Sequence, residues 1–205
     1  MLKNIKTIIF DLGGVLIELE KQRCIDSFTA IGFPQAATLI DCYRPVEFFE
    51  AFERGEITTA QFCERICAEA GRNIPTEDIQ RAYSDFLVTI PIYKLRMLDS
   101  LRERGYRILA LSNISQIVMP KVYEMFRADG KQASDYFDKM YLSFEMKSIK
   151  PEATIFQALI ADSGIDPSEA LFIDDGERNI LAGREIGLNV YLAKAGEDYS
   201  HIFEE

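Results

Sequence analysis

The sequence predicts an α/β fold in which helices cover a parallel sheet and a helical segment is inserted after the first strand. In the second half of the chain, short apolar runs alternate with segments of helical periodicity. Each run is continuous rather than alternating in polarity, which is typical of strands buried on both faces of a parallel sheet. Between residues 18 and 89 only helical patterns occur, which predicts the insert.

The first strand is predicted over residues 7–10 and is followed by an acid, Asp11. Gly13 and Gly14 come next, and glycine allows the backbone to bend sharply beside the acid. Ligands of open α/β sheets bind beyond the carboxyl ends of the strands, where Asp11 is placed. An isolated aspartate in such a position is more often part of a turn, so its function depends on the rest of the chain.

The inserted segment is predicted to contain short helices at about residues 23–31, 46–54, 58–71 and 76–87. Thr58 and Gln61 have the spacing of a capping box, and Thr76 is expected to cap the last of these helices. Many apolar positions in the segment are aromatic. We interpret them as the core of a small helical bundle rather than as a cofactor pocket.

From Pro91 onward, helices and strands alternate. Helices are predicted near residues 92–104, 117–125, 151–163 and 179–186, and strands near residues 107–111, 139–142, 170–173 and 188–192. Helices of this length between strands indicate right-handed crossovers within one parallel sheet.

The composition argues against several classes of protein. With 205 residues and a net charge of −10, the chain lacks the basic surface that nucleic acids require. No apolar run approaches the ~20 residues of a membrane-spanning helix, and the first strand begins too early for a secretory signal. We therefore expect a cytoplasmic protein that binds neither nucleic acid nor membranes, as a monomer or weak homodimer.

The single histidine, His201, lies near the C-terminal end of the sequence, which argues against catalytic triads and histidine-ligated metals. The cysteines are Cys24, Cys42, Cys63 and Cys67, with no histidine nearby to complete a zinc site. We expect reduced thiols at these positions. Catalysis should therefore depend on carboxylates, lysine, hydroxyl groups and a hard metal ion.

Polar residues follow or flank four of the predicted elements: Asp11, Ser112-Asn113, Lys150-Pro151 and Asp174-Asp175. Parallel strands end at the same edge of a sheet, so we expect these side chains to meet there. Singly, each has an ordinary explanation as a turn, a helix cap or a solvated charge. Together they suit phosphoryl transfer, which needs a nucleophile and groups that neutralise charge on the phosphate oxygens. Their carboxylates also suit Mg²⁺.

These residues resemble the ordered motifs of the haloacid dehalogenase superfamily. The matching segments are Phe10-Asp11-Leu12-Gly13-Gly14-Val15, Leu111-Ser112-Asn113, Lys150-Pro151-Glu152 and Phe172-Ile173-Asp174-Asp175. The resemblance implies a Rossmann-like core formed by residues 1–14 and 90–205, and a helical cap of the C1 type formed by residues 15–89. Glu53-Arg54-Gly55-Glu56-Ile57-Thr58, together with an asparagine four residues after Asp175, resembles a bacterial subgroup that includes α-D-glucose-1-phosphate phosphatase.

The resemblance also implies a role for each motif residue. Asp11 would be the nucleophile, and Lys150 would stabilise both this nucleophile and the phosphate. Ser112 and Asn113, with Lys150, would bind the phosphorylated substrate. The implied ligands of Mg²⁺ are Asp11, the Gly13 carbonyl, Asp174 and Asp175. The expected reaction is hydrolysis of a small phosphorylated metabolite, such as a sugar phosphate, through an aspartyl-phosphate.

Gly13 departs from the pattern of most phosphatases in this superfamily, which carry a general-acid aspartate two residues after the nucleophile. The glucose-1-phosphate phosphatase subgroup resembles this chain in having glycine there. A water, Glu18 or Glu53 could assist the leaving group, and Arg54 is a candidate substrate contact. Two alternatives stay open: a haloacid dehalogenase, which needs no Mg²⁺, and a binding protein that has lost catalysis.

Overall fold

The computed structural model describes residues 4–39, 47–194 and 196–203. Its strands are β1 (Thr7–Phe10), β2 (Glu18–Leu19), β3 (Leu87–Thr89), β4 (Arg107–Ser112), β5 (Lys139–Leu142), β6 (Ala170–Asp174) and β7 (Asn189–Leu192). Five of them form a parallel sheet in the order β5-β4-β1-β6-β7. The predicted α/β fold with a parallel sheet is therefore confirmed.

The central strand β1 is buried on both faces, as its continuous apolar sequence predicts. Ile8 and Phe10 pack into a large cluster shared with the insert, whereas Ile9 packs on the opposite face. All three side chains are fully buried. The sheet therefore forms the middle layer, and β1 has β4 and β6 as its immediate neighbours.

Helices surround this sheet and form the insert. They are α1 (Lys21–Ala30), α2 (Ala36–Leu39), α3 (Glu47–Glu53), α4 (Thr59–Ala70), α5 (Thr76–Ser84), α6 (Ile92–Glu103), α7 (Met119–Met125), α8 (Ala133–Tyr136), α9 (Ser143–Met146), α10 (Ala153–Ser163) and α11 (Glu177–Glu185). Helices α1 to α5 lie between β2 and β3 along the chain. None of the described helices has the length and apolarity needed to cross a membrane.

The ends of α4 follow the predicted chemistry. The Gln61 N–H donates to Thr58 Oγ1 at 3.2 Å, and the Thr58 N–H donates to Gln61 Oε1 at 2.8 Å, which confirms the capping box. The expected Thr76 cap of α5 is wrong, because Pro75 occupies that position and Thr76 is already helical. Proline suits a helix start because its missing N–H would have no partner within the helix.

The insert also contains a feature that its sequence does not predict. Strands β2 and β3 pair in an antiparallel ribbon with Glu18 opposite Thr89. The Glu20 N–H extends this pairing by donating to the Phe86 carbonyl at 2.8 Å. The expectation that residues 18–89 contain no strand is therefore wrong, since strands of two and three residues are too short to show a periodic pattern.

The aromatic residues of the insert pack against one another, as we expected of a helical bundle. The rings of Phe52 and Phe62 stack with centroids 4.2 Å apart, and Tyr83 lies 5.4 Å from Phe62. Phe49 and Tyr83 also line a cavity between the insert and the sheet. Cys63 and Cys67 are thiols within this bundle, whereas Cys42 lies outside the described residues.

Candidate active site

The floor of the candidate site consists of residues at the carboxyl ends of the three central strands. Asp11 follows β1, Ser112 ends β4 and Asp174 ends β6. All three are buried. The Asp11 N–H donates to the Ile173 carbonyl at 2.9 Å, which continues the pairing of β1 with β6. The sheet order thus brings together side chains that lie far apart in the sequence.

Lys150 lies between two of these carboxylates. Its Nζ is 2.9 Å from Asp11 Oδ2 and 2.6 Å from Asp174 Oδ2, with only 1% of the lysine side chain exposed. Burial opposes the charged form, but the attraction of Asp11 and Asp174 outweighs it and raises the pKa of Lys150 above its usual value. The buried ammonium therefore stays protonated at neutral pH.

Asn113 fixes the backbone that carries Lys150. Its Nδ2 donates to the Lys150 carbonyl at 2.9 Å, and its Oδ1 accepts from the Lys150 N–H at 2.7 Å. Asn113 also lines the cavity. Both polar atoms of the Asn113 side chain bond to the backbone of Lys150. The geometry therefore favours a role for Asn113 in positioning this lysine.

Three carboxylates lie close together at this edge of the sheet. Asp11, Asp174 and Asp175 each contribute an oxygen to a group whose members are all within 4.8 Å of one another. Burial, together with repulsion from Asp174 and Asp175, raises the pKa of Asp11 to about 7 against the opposing attraction of Lys150. A divalent cation would relieve this repulsion, and hard oxygen donors fit Mg²⁺.

The members of this cluster are held in different ways. Asp174 Oδ1 accepts hydrogen bonds from the Gly176 N–H at 2.7 Å and from Asn179 Nδ2 at 2.9 Å. Asp175 is partly exposed and lies against Gly14. Gly14 has φ +74°, and a Cβ on it would lie 2.1 Å from Asp175 Oδ2. Glycine is therefore required at this position for two reasons, its backbone conformation and its close approach to a carboxylate.

A cavity of about 740 Å³ lies above the floor, between the sheet edge and the insert. Asp11, Gly13, Ser112, Asn113, Lys150 and Asp175 line its lower side. Phe49, Glu50, Glu53, Arg54, Tyr83, Phe86 and Leu87 line it from the insert. The cavity is therefore polar below and mixed above, and it has the size of a small-molecule site.

Arg54 connects the insert to the sheet domain. Its guanidinium is 2.8 Å from Glu50 and 3.3 Å from Glu56 in the insert, and 2.5 Å from Glu152 next to the Lys150-Pro151 segment. The hydrogen bond to Glu152 contributes most to raising the pKa of Arg54. The predicted substrate contact is thus already engaged by three carboxylates, and the geometry favours a role in holding the insert over the floor.

Two residues with a place in this site had no role assigned from sequence. Asn179 orients Asp174, and its spacing after Asp174-Asp175, in the first turn of α11, is the signal that indicates it. Ser115 is buried, lines the cavity, and its hydroxyl has no hydrogen-bond partner within the described residues. No sequence pattern distinguishes Ser115 from an ordinary serine in a loop.

The family model of the haloacid dehalogenase-like hydrolases matches residues 5–187, and the chain belongs to this family. A D-ribitol-5-phosphate phosphatase of Bacteroides thetaiotaomicron is 33% identical over 196 residues, which are 95% of each chain. A wild-type HAD family enzyme of the same organism, solved in complex with magnesium and inorganic phosphate, is 43% identical with a TM-score of 0.92, covering 98% of this chain and 100% of that chain.

Two further solved structures place the fold more widely. A HAD-like family hydrolase of Porphyromonas gingivalis is 33% identical with a TM-score of 0.90, covering 98% of this chain and 99% of that chain. The L-2-haloacid dehalogenase PA0810 is 18% identical with a TM-score of 0.61, covering 93% and 85% of the two chains. The second similarity concerns the fold alone. The family predicted from the motifs is confirmed.

Proposed function

We propose that this hydrolase is a Mg²⁺-dependent phosphatase that cleaves a small phosphorylated metabolite through an aspartyl-phosphate on Asp11. The observation that carries the proposal is the buried contact of Asp11 with Lys150 beside the carboxylate cluster at the floor of the cavity. The 33% identity to a D-ribitol-5-phosphate phosphatase supports a sugar or sugar-alcohol phosphate as the substrate class.

In this mechanism, Asp11 attacks phosphorus and displaces the alcohol, and water then hydrolyses the aspartyl-phosphate. Lys150 favours the ionised form of Asp11 and neutralises charge on the phosphate, while the Ser112 hydroxyl donates to a phosphate oxygen. Asp11, Asp174, Asp175 and the Gly13 carbonyl would hold Mg²⁺. When bound, the ion supplies positive charge that offsets the repulsion between nucleophile and phosphate.

We assign the helical insert, residues 15–89, the role of a cap over a core of residues 1–14 and 90–205. The cavity between them and the link from Arg54 to Glu152 support this division. A closed cap excludes bulk water, which strengthens the electrostatic interactions within the site. Residues on the cap side of the cavity would then select the substrate.

The site also argues against the two alternative functions, a haloacid dehalogenase and a binding protein without catalysis. A dehalogenase that uses no metal has no use for three crowded carboxylates beside one lysine. A binding protein that has lost catalysis is favoured only by Gly13, since the other motif residues converge at the floor. We therefore place the phosphatase first.

Turnover of a panel of pentitol, pentose and hexose phosphates with and without Mg²⁺ tests the proposed function. We expect phosphate release from at least one sugar or sugar-alcohol phosphate, and a fall to background when the metal is chelated. Chloride release from a 2-haloacid would instead support a dehalogenase. An enzyme that is inactive on the whole panel with Mg²⁺ would contradict the proposal.

Replacing Gly14 by alanine is predicted to weaken Mg²⁺ binding. The new methyl group would displace Asp175, whose Oδ2 lies 2.1 Å from the Cβ position. We expect the Mg²⁺ concentration for half-maximal activity to rise by about 10- to 100-fold, as for other changes beside metal ligands.

Gly71→Ala provides the matched control for this variant. Gly71 has φ +66°, close to the +74° of Gly14, yet no atom lies within 4 Å of its Cβ position. Both variants should lose about 1–2 kcal/mol of stability to the left-handed backbone. Only Gly14→Ala should change the Mg²⁺ requirement, and an equal change in both would show that Gly14 does not position Asp175.

A further inference from the structure

The proposed reaction needs a proton donor for the leaving oxygen, and glycine at position 13 cannot supply one. We propose that Glu53, at the end of α3 in the insert, is the catalytic acid that protonates this oxygen. The inference rests on the proposed phosphatase function. It assigns the proton transfer to the cap side of the cavity rather than to the loop that follows the nucleophile.

Contacts with the core place Glu53 over the floor. Ser143 Oγ, at the start of α9, donates to the Glu53 carbonyl at 2.6 Å. The same hydroxyl accepts from the Ile114 N–H at 2.9 Å, two residues after Ser112. The backbone of Glu53 is thus tied to the loop that follows the candidate phosphate-binding serine. The Glu53 side chain lines the same cavity as Asp11 and Lys150.

The other glutamates near the cavity differ from Glu53 in their ion pairs or their exposure. Glu50 and Glu152 both pair with Arg54, and the hydrogen bond from Arg54 helps to lower the pKa of Glu152 against the opposing effect of burial. Glu177 is exposed to solvent. Glu18, the other acid considered from sequence, is exposed in β2 and does not contribute to the cavity wall. Within the described residues, the Glu53 carboxyl group makes no ion pair and receives a 3.4 Å hydrogen bond from the Tyr83 hydroxyl.

The surroundings of Glu53 favour its protonated form near neutral pH. Its side chain lines the cavity, and burial raises its pKa to about 7. The groups that face it are Tyr83 from α5, whose hydrogen bond lowers the pKa, Glu50 one turn earlier in α3, which raises it, and Lys150 from the core, which lowers it. Helix α9 contributes the neutral Ser143 hydroxyl. A group of this kind carries a proton at neutral pH and can release it.

The two chemical steps then balance. As the bond between phosphorus and the ester oxygen breaks and the bond to Asp11 Oδ forms, the Glu53 carboxylic acid gives its proton to the leaving oxygen. The product leaves as a neutral alcohol, and Glu53 becomes a carboxylate. In the second step this carboxylate takes a proton from the water that attacks phosphorus. Asp11 and inorganic phosphate are released, and Glu53 is protonated again.

Glu53→Gln tests the inference because it keeps the size and the Tyr83 contact but cannot donate a proton. The experiment measures the first-step rate with two substrates, D-ribitol 5-phosphate or the best sugar phosphate of the panel, and p-nitrophenyl phosphate. We expect release of the sugar alcohol to fall by about 10²-fold or more, since its alkoxide needs a proton. Release of p-nitrophenolate, which needs none, should change by less than about 5-fold.

Two further readouts separate catalysis from structure. With p-nitrophenyl phosphate, Glu53→Gln should give a burst followed by slow turnover, because the aspartyl-phosphate accumulates when no base activates the water. In the wild type, the first-step rate with the sugar phosphate should fall above about pH 7, since Glu53 then loses its proton. This alkaline limb should be absent in Glu53→Gln and with p-nitrophenyl phosphate.

Glu50→Gln is the matched control, since Glu50 lies one turn away in the same helix and pairs with Arg54. We expect it to keep the wild-type ratio of rates between the two substrates. Equal losses with both substrates in Glu53→Gln, or no loss with either, would overturn the role of Glu53 while leaving the phosphatase in place. A wild type without Mg²⁺-dependent turnover would instead overturn the proposed function itself.

Discussion

Asp11→Asn should lower the Mg²⁺-dependent phosphatase activity by about 10⁴-fold or more, because an amide cannot form the aspartyl-phosphate on which the proposed mechanism depends. Asp11 directly follows β1, and Lys150 Nζ lies 2.9 Å from its carboxylate. Among the described carboxylates of the cluster, only Asp11 follows β1. Steady-state turnover of the best panel substrate provides the measurement. Acid-quenched enzyme should carry phosphate in the wild type and none in the variant.

The thermal stability of this variant distinguishes loss of the nucleophile from loss of the fold. Burial raises the pKa of Asp11 to about 7, so its charge opposes folding at and above neutral pH. In the presence of a chelator, the melting temperature of Asp11→Asn should therefore be no lower than that of the wild type. Asp26→Asn, on the exposed surface of α1, is the control and should keep full activity. Wild-type turnover in Asp11→Asn would contradict the assignment of the nucleophile.

Lys150→Met should have the largest effect on stability. The variant leaves Asp11 and Asp174 buried beside each other without the ammonium that lies within 3 Å of both. Removing one partner of a buried ion pair costs about 3–5 kcal/mol, and we expect the free energy of unfolding to fall by this amount. Activity should also fall by about 10²–10³-fold, since a charge that neutralises the phosphate is lost.

The pH dependence of Lys150→Met gives a second measurement. The raised pKa of Lys150 means that its charge stabilises the fold throughout the neutral range and is lost only in strong alkali. On the acid side, Asp11 takes up a proton and then needs the lysine less. The difference in unfolding free energy between wild type and variant should therefore shrink as the pH falls.

Lys139→Met is the control for an exposed ion pair. Lys139 Nζ is 2.6 Å from Asp162 Oδ2, but both side chains are 50% exposed. Pairs of this kind contribute about 1 kcal/mol or less, so we expect little change in stability. Comparable losses in Lys139→Met and Lys150→Met would contradict the central role of the buried lysine.

The sequence predicts the floor of the site well because its chemistry coincides with strand ends. Strands β1, β4 and β6 are continuous apolar runs, and such runs in an α/β pattern indicate a parallel sheet. Parallel strands bring Asp11, Ser112 and Asp174 to one edge whichever order they take in the sheet. The observed order places β4 and β6 on either side of β1, which brings Asp11 and Ser112 to the cavity. Asp174 lies buried beside them, in contact with Lys150.

The insert side of the cavity is less predictable from sequence, because its contacts join residues far apart in the chain. Arg54 binds Glu152, which lies 98 positions further along the chain. Ser143 binds the Glu53 carbonyl across 90 positions. Local periodicity carries no information on such pairs. Asn113 is an example. Its position after β4 predicts that it belongs to the site, but the sequence does not predict that its amide bonds to the backbone of Lys150.

The ribbon of β2 and β3 has a consequence for how enzymes of this design diversify. The chain enters and leaves the insert at neighbouring positions, with Glu18 opposite Thr89. The helices between β2 and β3 can be lengthened, shortened or replaced without altering any strand that carries the reacting groups. Selection for a new substrate can therefore act on one part of the chain while the phosphate chemistry is inherited unchanged in the other.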